Sequence, residues 1–270
     1  MPREHQRDQQ HRRSQERQRY QERPSRLAGA VVWTLEVPPG PPGPARSVLP
    51  DGCMDLIWSA GRLVVAGPDT HAFRVDPRNR ASCAAIRFPP GTAPVLLGVP
   101  ADELRDHRVE LADLWPRAAV RGLVDRIDRA ADPAAALEDY ALGLAAETGP
   151  PDPLTAAVAD RLGRGGSVAA TAAEVGLGAR QLHRRSLAAF GYGPKTLARI
   201  LRLQRALSLV REGLPYAEAA PAAGCVDQAH LAREMRALAG TTLGAYFGRY
   251  EASAAANSDT PQPSGSRTTA

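Results

Sequence analysis

The order of apolar and polar positions divides this chain into a strand-rich part and a helical part that follows it. From residue 30 onward, short runs of β-branched and aromatic residues end at turn residues, as strands do. Short strands at this spacing favour an antiparallel sandwich or barrel. We predict strands over residues 30–37, 54–59, 63–66, 72–75 and 83–88, with a rigid loop over 38–44.

A helical pattern follows the strands. Two short helices, over residues 90–98 and 101–106, precede two longer ones that start near Pro116 and Pro133, where the first turn of a helix tolerates proline. The run Gly-Pro-Pro-Asp-Pro at 149–153 cannot continue a helix and is the predicted domain boundary. We predict the longer helices over 117–130 and 133–146, and further helices over 154–162, 168–175, 180–190, 194–212, 216–223, 228–239 and 243–249.

One motif occurs twice in the helical part. It consists of a small residue, a glycine four positions later, and then an apolar residue followed two positions later by arginine. A helix-turn-helix needs the small residue where its helices touch, and glycine at the turn because glycine takes a positive φ without steric cost. The copies are Ala172, Gly176, Leu182 and Arg184, then Ala220, Gly224, Leu231 and Arg233. Two copies in order predict two helix-turn-helix units, and hence DNA binding.

The second helix of each unit divides into an apolar and a polar face. Leu182, Ser186, Ala189 and Phe190 share one face of the first such helix, at helical spacing. Arginine on the other face can pair with guanine through two hydrogen bonds, worth ~1–3 kcal/mol of discrimination. The candidate DNA-contacting residues are Arg180, Gln181, His183 and Arg184 in the first unit and Gln228, His230 and Arg233 in the second.

The helix predicted between the two units carries an apolar stripe that includes Leu197, Ile200 and Leu207. At ~1.5 Å per residue, its residues 195–212 span about 27 Å. With the width of each unit added, the second helices of the two units, which we call the recognition helices, can lie about one DNA turn (~34 Å) apart. One chain could then enter two successive major grooves.

The net charge of +5 is spread unevenly along the chain. Residues 27–153 contain twelve basic and seventeen acidic residues, whereas residues 154–250 contain thirteen basic and six acidic residues. An acidic domain followed by a basic one is typical of a sensor joined to a nucleic-acid binder. The three cysteines are too widely spaced for a paired metal site and are odd in number, so we expect a reduced, cytoplasmic protein. No apolar run approaches the ~20 residues that a membrane span needs.

These patterns divide the chain into four segments. Residues 1–26 are polar and Arg-rich and are predicted to form a disordered basic arm, which either touches DNA or is only solvated. We predict an effector-binding or dimerisation domain over 27–150 and a DNA-binding domain over 151–250. The Ala-, Ser-, Thr- and Pro-rich residues 251–270 are predicted to be a second disordered tail.

The helical part resembles the AraC/XylS family of transcription regulators. The resemblance is carried by Leu-Gly-Ala-Arg-Gln-Leu-His-Arg-Arg at 177–185, Gly-Tyr-Gly-Pro-Lys at 191–195 and Ala-Gly-Cys-Val-Asp-Gln-Ala-His-Leu at 223–231. It implies two helix-turn-helix units joined by a long helix, behind an N-terminal domain that senses an effector or mediates dimerisation. Residues 49–57 and 86–91 resemble an actinobacterial domain that accompanies this type and has no assigned ligand.

Three positions depart from the family pattern. Ser186 stands where the family has a bulky apolar residue, and Cys225 replaces the usual aromatic residue. Pro221 falls within the first helix of the second unit, where a mid-helix proline costs ~3 kcal/mol. We therefore expect a looser first unit, a kinked or weaker second unit, and most of the sequence reading in the first.

The fold class expected is α+β, with an N-terminal antiparallel barrel or sandwich (cupin-like) before an all-α domain. The function expected is sequence-specific transcription regulation, as an activator, although the residues leave repression open. The alternatives are an enzyme or metal-binding barrel tethered to DNA, with Asp51, Cys53 and Asp55 on one side of a strand as its candidates, and a non-specific architectural DNA binder. We expect that the protein is not an enzyme and that it holds neither a cofactor nor a metal ion.

Double-stranded DNA is the expected partner of the chain. RNA polymerase and a small-molecule effector are further candidate partners, and a membrane is not expected. A monomer and a homodimer both stay open.

Overall fold

The computed structural model describes residues 19–37, 46–76, 78 and 81–254, with the backbone alone over 249–254. The predicted loop over 38–44, most of the predicted arm and the tail from 255 onward lie outside these residues. The described chain forms eight strands, with one short helix and a 3-10 turn before the last of them, and then a series of helices.

Six strands form one antiparallel sheet in the order β1-β2-β7-β4-β5-β8, and two form a small separate sheet, β3-β6. The strands are β1 (Arg19–Pro24), β2 (Val31–Glu36), β3 (Arg46–Val48), β4 (Met54–Ser59), β5 (Arg62–Ala66), β6 (Phe73–Val75), β7 (Cys83–Phe88) and β8 (Arg108–Glu110). The central strand β7 is buried almost throughout, which its sequence Cys-Ala-Ala-Ile-Arg-Phe allows in all positions but one. That one position, Arg87, requires a buried partner.

The large sheet is open rather than closed. Strands β1 and β8 stand at its opposite edges and do not pair with each other, whereas the first and last strands of a barrel must pair. The predicted α+β class is confirmed, and of the two forms predicted for the N-terminal domain, barrel or sandwich, the barrel is wrong because the sheet does not close. Strand patterns alone cannot distinguish the two, because closure depends on a register between edge strands that are far apart in the sequence.

Four helices and one turn of 3-10 helix (Ala101–Glu103) cover one face of the large sheet. They are α1 (Ala93–Leu97), α2 (Leu111–Leu114), α3 (Arg117–Asp128) and α4 (Pro133–Thr148). Helix α4 starts where Pro133 follows Asp132, whose side chain accepts hydrogen bonds from the free amides of Ala134 and Ala135. The core between the layers contains Val32, Leu56 and Ile86 of the sheet with Leu97, Leu111, Ile127 and Leu137 of the helices.

The opposite face of the sheet carries a buried ionic cluster around Arg87. The guanidinium Nε of Arg87 lies 3.1 Å from Asp55 and 3.6 Å from Asp51, and Trp33 donates to the same Asp55 oxygen at 2.7 Å. Asp51 also accepts from the backbone amide of Cys53, which is buried in the turn before β4. Asp51 and Asp55 therefore pair with a buried arginine in the described structure, and Cys53 is bonded to Asp51 beside them.

Residues 19–26 belong to the fold, so the predicted disordered arm is too long at its C-terminal end. Strand β1 pairs with β2 over its whole length, and Tyr20 is buried against Trp33. The buried carboxylate of Glu138 in α4 then accepts from Arg23, Ser25 and the backbone amide of Arg26 at 2.7–2.8 Å. Polar side chains hide this strand in the sequence, because its buried contacts are made by one aromatic residue and by ion pairs.

Seven helices make up the rest of the described chain. They are α5 (Pro153–Gly163), α6 (Val168–Glu174), α7 (Ala179–Phe190), α8 (Pro194–Arg211), α9 (Tyr216–Ala222), α10 (Gln228–Ala239) and α11 (Leu243–Ala254). Each predicted helix beyond residue 153 is present, and each starts within one residue of its predicted start. A second buried cluster begins at Val158, and the first ends near Ala145, on either side of the proline-rich run. The domain boundaries themselves stay predictions.

The Glu138 contact generates a pH-dependent stability prediction. The hydrogen bond from Arg23, more than any other cause, lowers the pKa of Glu138 from 4.5 to about 2. Because the folded-state pKa is depressed, its stabilisation is present above about pH 4.5 and is lost as pH falls toward 2. We expect Glu138→Gln to lower the free energy of unfolding by about 2 kcal/mol at pH 7, and the difference from wild type to shrink below pH 4.5.

Chemical denaturation of both proteins between pH 7 and pH 3 measures this. The matched control is Asp139→Asn, which removes the neighbouring, exposed partner of Arg26 and is expected to cost under about 0.5 kcal/mol. A Glu138→Gln penalty that does not change with pH would contradict the role given to this carboxylate.

Candidate nucleic-acid interface

The first helix-turn-helix unit consists of α6 and α7. Ser167 caps α6 by accepting from the amide of Ala170, as its sequence position predicts. Gly176 has φ +66°, and a Cβ at this position would meet nothing within 4 Å, so the backbone conformation rather than space requires glycine. Ala172 and Leu182 are both buried, and the amide of Leu177 donates to the carbonyl of Ala172 at 2.9 Å, which closes the turn.

The second unit, α9 and α10, repeats this turn. Gly224 has φ +91°, and the amide of Cys225 donates to the carbonyl of Ala220 at 2.9 Å. Ala220 and Leu231 are fully buried. The two sequence copies therefore fold into matching turns, closed by the same hydrogen bond.

The two units differ between the glycine and the start of the recognition helix. In the first unit Gly178 is the N-cap of α7 and has no side chain to cap the helix. In the second unit one more residue, Val226, precedes the N-cap Asp227, whose carboxylate accepts from the amide of His230 at 2.6 Å. The second recognition helix thus starts one residue later after its glycine than the first.

Helix α8 joins the two units through one continuous core. Leu197, Ile200, Leu203 and Leu207 are each at most 1% exposed and belong to the same buried cluster as Leu182 of α7 and Met235 of α10. At 18 residues, α8 is about 27 Å long. Because both units pack on this helix, their relative position is set by a shared core rather than by a flexible linker.

The polar faces of the recognition helices are open to solvent. Arg180, Gln181, His183 and Arg184 on α7 and Gln228 and Arg233 on α10 are exposed, while Leu182, Ser186, Phe190, Leu231, Met235 and Leu238 are buried. The division into two faces is as predicted. It leaves six of the seven candidate DNA-contacting side chains accessible.

The arginines of these faces differ in their contacts from the adjacent Arg185. Within the described residues, Arg180, Arg184 and Arg233 make no hydrogen bond or ion pair. By contrast, Arg185, the residue after Arg184, pairs with Asp152 at 2.8 Å. The guanidinium groups of Arg180, Arg184 and Arg233 can therefore donate hydrogen bonds to a polyanion without first breaking a contact within the described structure.

His230 is placed differently from the other candidates. Its Nδ1 accepts from the backbone amide of Val226 at 3.2 Å, and its Nε2 faces Glu234 at 3.8 Å. Glu234 in turn accepts from Arg199 of α8 at 2.8 Å. No sequence pattern signals this chain of contacts, because its members come from two helices and a turn.

The three departures from the family pattern have local consequences. The buried hydroxyl of Ser186 has no hydrogen-bond partner among the described residues. Cys225 is buried, and burial raises the pKa of its thiol. Pro221 lies in the last turn of α9, and the carbonyl of Pro221 itself accepts from Gly224 at 2.9 Å, so the helix and its turn form around it.

The N-terminal part touches both units and the helix between them. The side chain of Gln204 in α8 donates to the carbonyl of Pro50 at 2.6 Å, and Arg105 donates to the carbonyl of Gly191, which ends α7, at 2.9 Å. The amide of Ala72 donates to the carbonyl of Leu238 in α10 at 2.8 Å. A shift of the loops that carry Pro50, Ala72 and Arg105 would therefore reach both recognition helices.

Gly191 marks a close approach between the two parts. Its φ is +80°, and a Cβ there would lie 2.5 Å from Pro68 and 3.0 Å from the carbonyl of Ala101. The next residue, Tyr192, is 3% exposed, and its hydroxyl has no hydrogen-bond partner among the described residues. Burial, reinforced by the negative charge of Asp51, raises the pKa of Tyr192 well above its ordinary value.

Neither a metal cluster nor a membrane-spanning helix occurs in the described ranges. No group of three or more His, Cys, Asp or Glu residues is arranged there to hold a metal ion. His71 contacts Thr70, and His107 contacts the carbonyl of Arg105. None of the helices in these ranges is long and apolar enough to cross a membrane.

Comparison with solved structures returned the ToxT protein of Vibrio cholerae in several forms. One apo form has 11% identity and a TM-score of 0.45, and the match covers 83% of this chain and 99% of that one. The form bound to an unsaturated fatty acid has 10% identity and a TM-score of 0.42, with 90% and 98% covered. Likeness at this level is too distant to indicate function. No match was found among curated proteins.

Two family models match this chain, one on each side of the proline-rich run. Residues 28–110 match a domain of unknown function (DUF6597), and residues 171–249 match a helix-turn-helix domain. The second match runs from within α6 into α11 and so contains the paired turns, the joining helix and the open arginine faces. The chain therefore carries a helix-turn-helix domain of the AraC type behind a domain of unknown function, and this pair of domains supports a DNA-binding transcription regulator.

Proposed function

We propose that the protein recognises a specific DNA sequence by placing α7 and α10 in two successive major grooves. The observation that carries the proposal is the pair of matching turns on one rigid helix, each followed by a helix with an exposed, unpaired arginine. The N-terminal residues of a recognition helix contact base edges. Arg180, Gln181, His183 and Arg184 of the first unit, and Gln228 and Arg233 of the second, are the proposed contacts, some of them to phosphate.

The length of α8 supports the two-groove arrangement. Its span of about 27 Å, with the packing of a unit at each end, suits grooves that repeat every ~34 Å along the DNA. The basic excess of residues 154–250 adds attraction to phosphate that does not depend on sequence. A single chain can then occupy both grooves, whether or not it also dimerises.

We further propose that the N-terminal part modulates DNA binding through its contacts with α7, α8 and α10. A ligand or a second subunit alters DNA affinity only if it favours one arrangement of these contacts over another. The hydrogen bonds of Pro50, Ala72 and Arg105 supply a physical connection for that coupling.

Two alternatives are tested by different measurements. Asp51, Cys53 and Asp55, the candidates for a metal or nucleophile site, are engaged around Arg87, which favours a non-enzymatic N-terminal part. Stoichiometric metal bound by the purified protein would instead favour the enzyme or metal-binding barrel. Equal affinity for selected and random DNA would favour an architectural DNA binder.

Substitution of Arg184 tests the recognition-helix assignment. Arg184→Ala is expected to weaken binding to a site selected from random DNA by about ten- to a hundredfold, because a bidentate base contact is worth ~1–3 kcal/mol, and to relax the preference at one base pair. Arg185→Ala is the matched control, since it removes the same charge one residue away from a side chain paired with Asp152. It should lower affinity slightly and leave every base preference unchanged. Identical profiles for the two variants would refute the assignment.

The groove spacing is tested by comparing the two units. Arg233→Ala should relax a second base pair, about ten base pairs from the one that Arg184→Ala relaxes, because the major groove repeats at that interval. Binding-site selection on each variant measures both positions. Relaxation of the same or an adjacent base pair by both variants would exclude the two-groove arrangement.

Loss of the contacts between the two parts should change DNA affinity without touching the DNA-facing surface. Arg105→Ala combined with Gln204→Ala removes two of these hydrogen bonds, and we expect at least about a threefold change in affinity for a selected site and ~1–3 kcal/mol lower stability. Arg121→Ala, which removes an exposed charge on α3, is the control. DNA affinity equal to that of wild type would contradict the proposed coupling.

A further inference from the structure

The most exposed large apolar side chain in the described structure lies at the tip of the second unit. Val226 is 83% exposed, whereas the other two exposed large apolar residues, Phe73 and Val95, are 37% exposed. Val226 is the additional residue of the second turn, between the buried Cys225 and the N-cap Asp227. The first unit has no such side chain, because Gly178 there precedes α7 directly.

The backbone of Val226 is held on both sides. Its own amide donates to Nδ1 of His230 at 3.2 Å, and the carboxylate of the next residue, Asp227, accepts from the amide of His230 at 2.6 Å. These two bonds tie the turn to the first turn of α10. Because these bonds already restrict the backbone of the turn, binding of a partner to the Val226 side chain costs less conformational entropy.

The fixing contacts extend into the core of the domain. His230 Nε2 faces Glu234, which is 14% exposed in its side chain and accepts from Arg199 of α8 at 2.8 Å. Arg199, Glu234 and His230 thus connect the helix that joins the two units to the backbone of Val226. His230 acts here on another residue rather than presenting its own ring to solvent.

We propose that Val226 contacts the C5-methyl group of a thymine in the major groove, and that His230 is the positioning residue for this contact. This proposal rests on the proposed function, because it requires α10 to enter the groove. The start of a recognition helix is the part that meets base edges, and the thymine methyl is the apolar group that the major groove displays there. Contact between the valine and this methyl removes both apolar groups from water and so favours thymine over the other bases. Arginine and glutamine do not supply this preference, because they pair with guanine and adenine.

Removal of single methyl groups from the DNA tests the contact. Each thymine of a site selected by the wild-type protein is replaced by deoxyuridine, which keeps base pairing and lacks the methyl. Wild type should lose about fourfold in affinity at one thymine near the base pair that Arg233→Ala relaxes, the amount for one buried methyl-sized group. Val226→Ala should bind the unmodified site about fourfold more weakly and show no further loss at that deoxyuridine.

Controls separate this contact from folding and from the proposed function. Val95→Ala shortens another exposed valine, and it should bind and discriminate like wild type. Equal unfolding temperatures of Val226→Ala and wild type are expected, since the side chain is exposed. Wild-type binding that is indifferent to every single methyl, or unchanged methyl sensitivity in Val226→Ala, would overturn this proposal alone. Failure of wild type to select any sequence would overturn the proposed function.

The role of His230 is tested with the valine intact. His230→Ala removes the acceptor for the amide of Val226 and should reduce the discrimination between thymine and deoxyuridine at that position. His230→Asn offers a side-chain oxygen in place of Nδ1 and should restore part of it. In the Val226→Ala background, His230→Ala should have no further effect on discrimination. Full discrimination by His230→Ala would show that the turn holds its position without the histidine.

Discussion

The packing of both helix-turn-helix units against α8 is the interaction on which the rest of the arrangement depends. Leu197, Ile200, Leu203 and Leu207 are almost fully removed from water, and their neighbours come from both units. Burial of each such side chain is worth ~1.5–3 kcal/mol, and loss of one leaves a cavity that neighbouring residues fill only in part. The recognition faces can therefore keep their charged side chains free, because stability comes from the opposite sides of the same helices.

The sequence specified the helical part more completely than the strand-rich part. Helix periodicity and caps are local, so Pro133 after Asp132, Ser167, and the glycines at 176 and 224 each mark a boundary that the structure contains. Strand β1 was missed because its side chains are polar and its partners, β2 and Glu138, are far away in the chain. Strands β3 and β8, three residues each, were not predicted either, whereas β6, which has the same length, lies within the strand predicted over 72–75.

The candidate DNA-facing surface was predictable to the same degree and for the same reason. Helical spacing alone separates Leu182 and Phe190 from Arg180 and Arg184, and the structure keeps that separation. His230 shows the limit of such reasoning, because spacing places it near the polar face while a backbone amide and a carboxylate from the protein determine where its ring lies. The contacts of Arg105 and Gln204 had no signal at all, since each joins a side chain to a backbone carbonyl far along the chain.

The extra residue in the second turn makes the two units unlike, although their glycine turns match. A regulator whose identical halves are related by a two-fold axis fits a palindrome and has no preferred direction along the duplex. In this chain one unit has a side-chain cap and an exposed valine before its recognition helix, and the other has only Gly178 there, so the two ends of the domain differ. A DNA element contacted by both units would be asymmetric. Inversion of that element would reverse the direction of the bound protein along the DNA, and with it the position of the N-terminal domain relative to the gene.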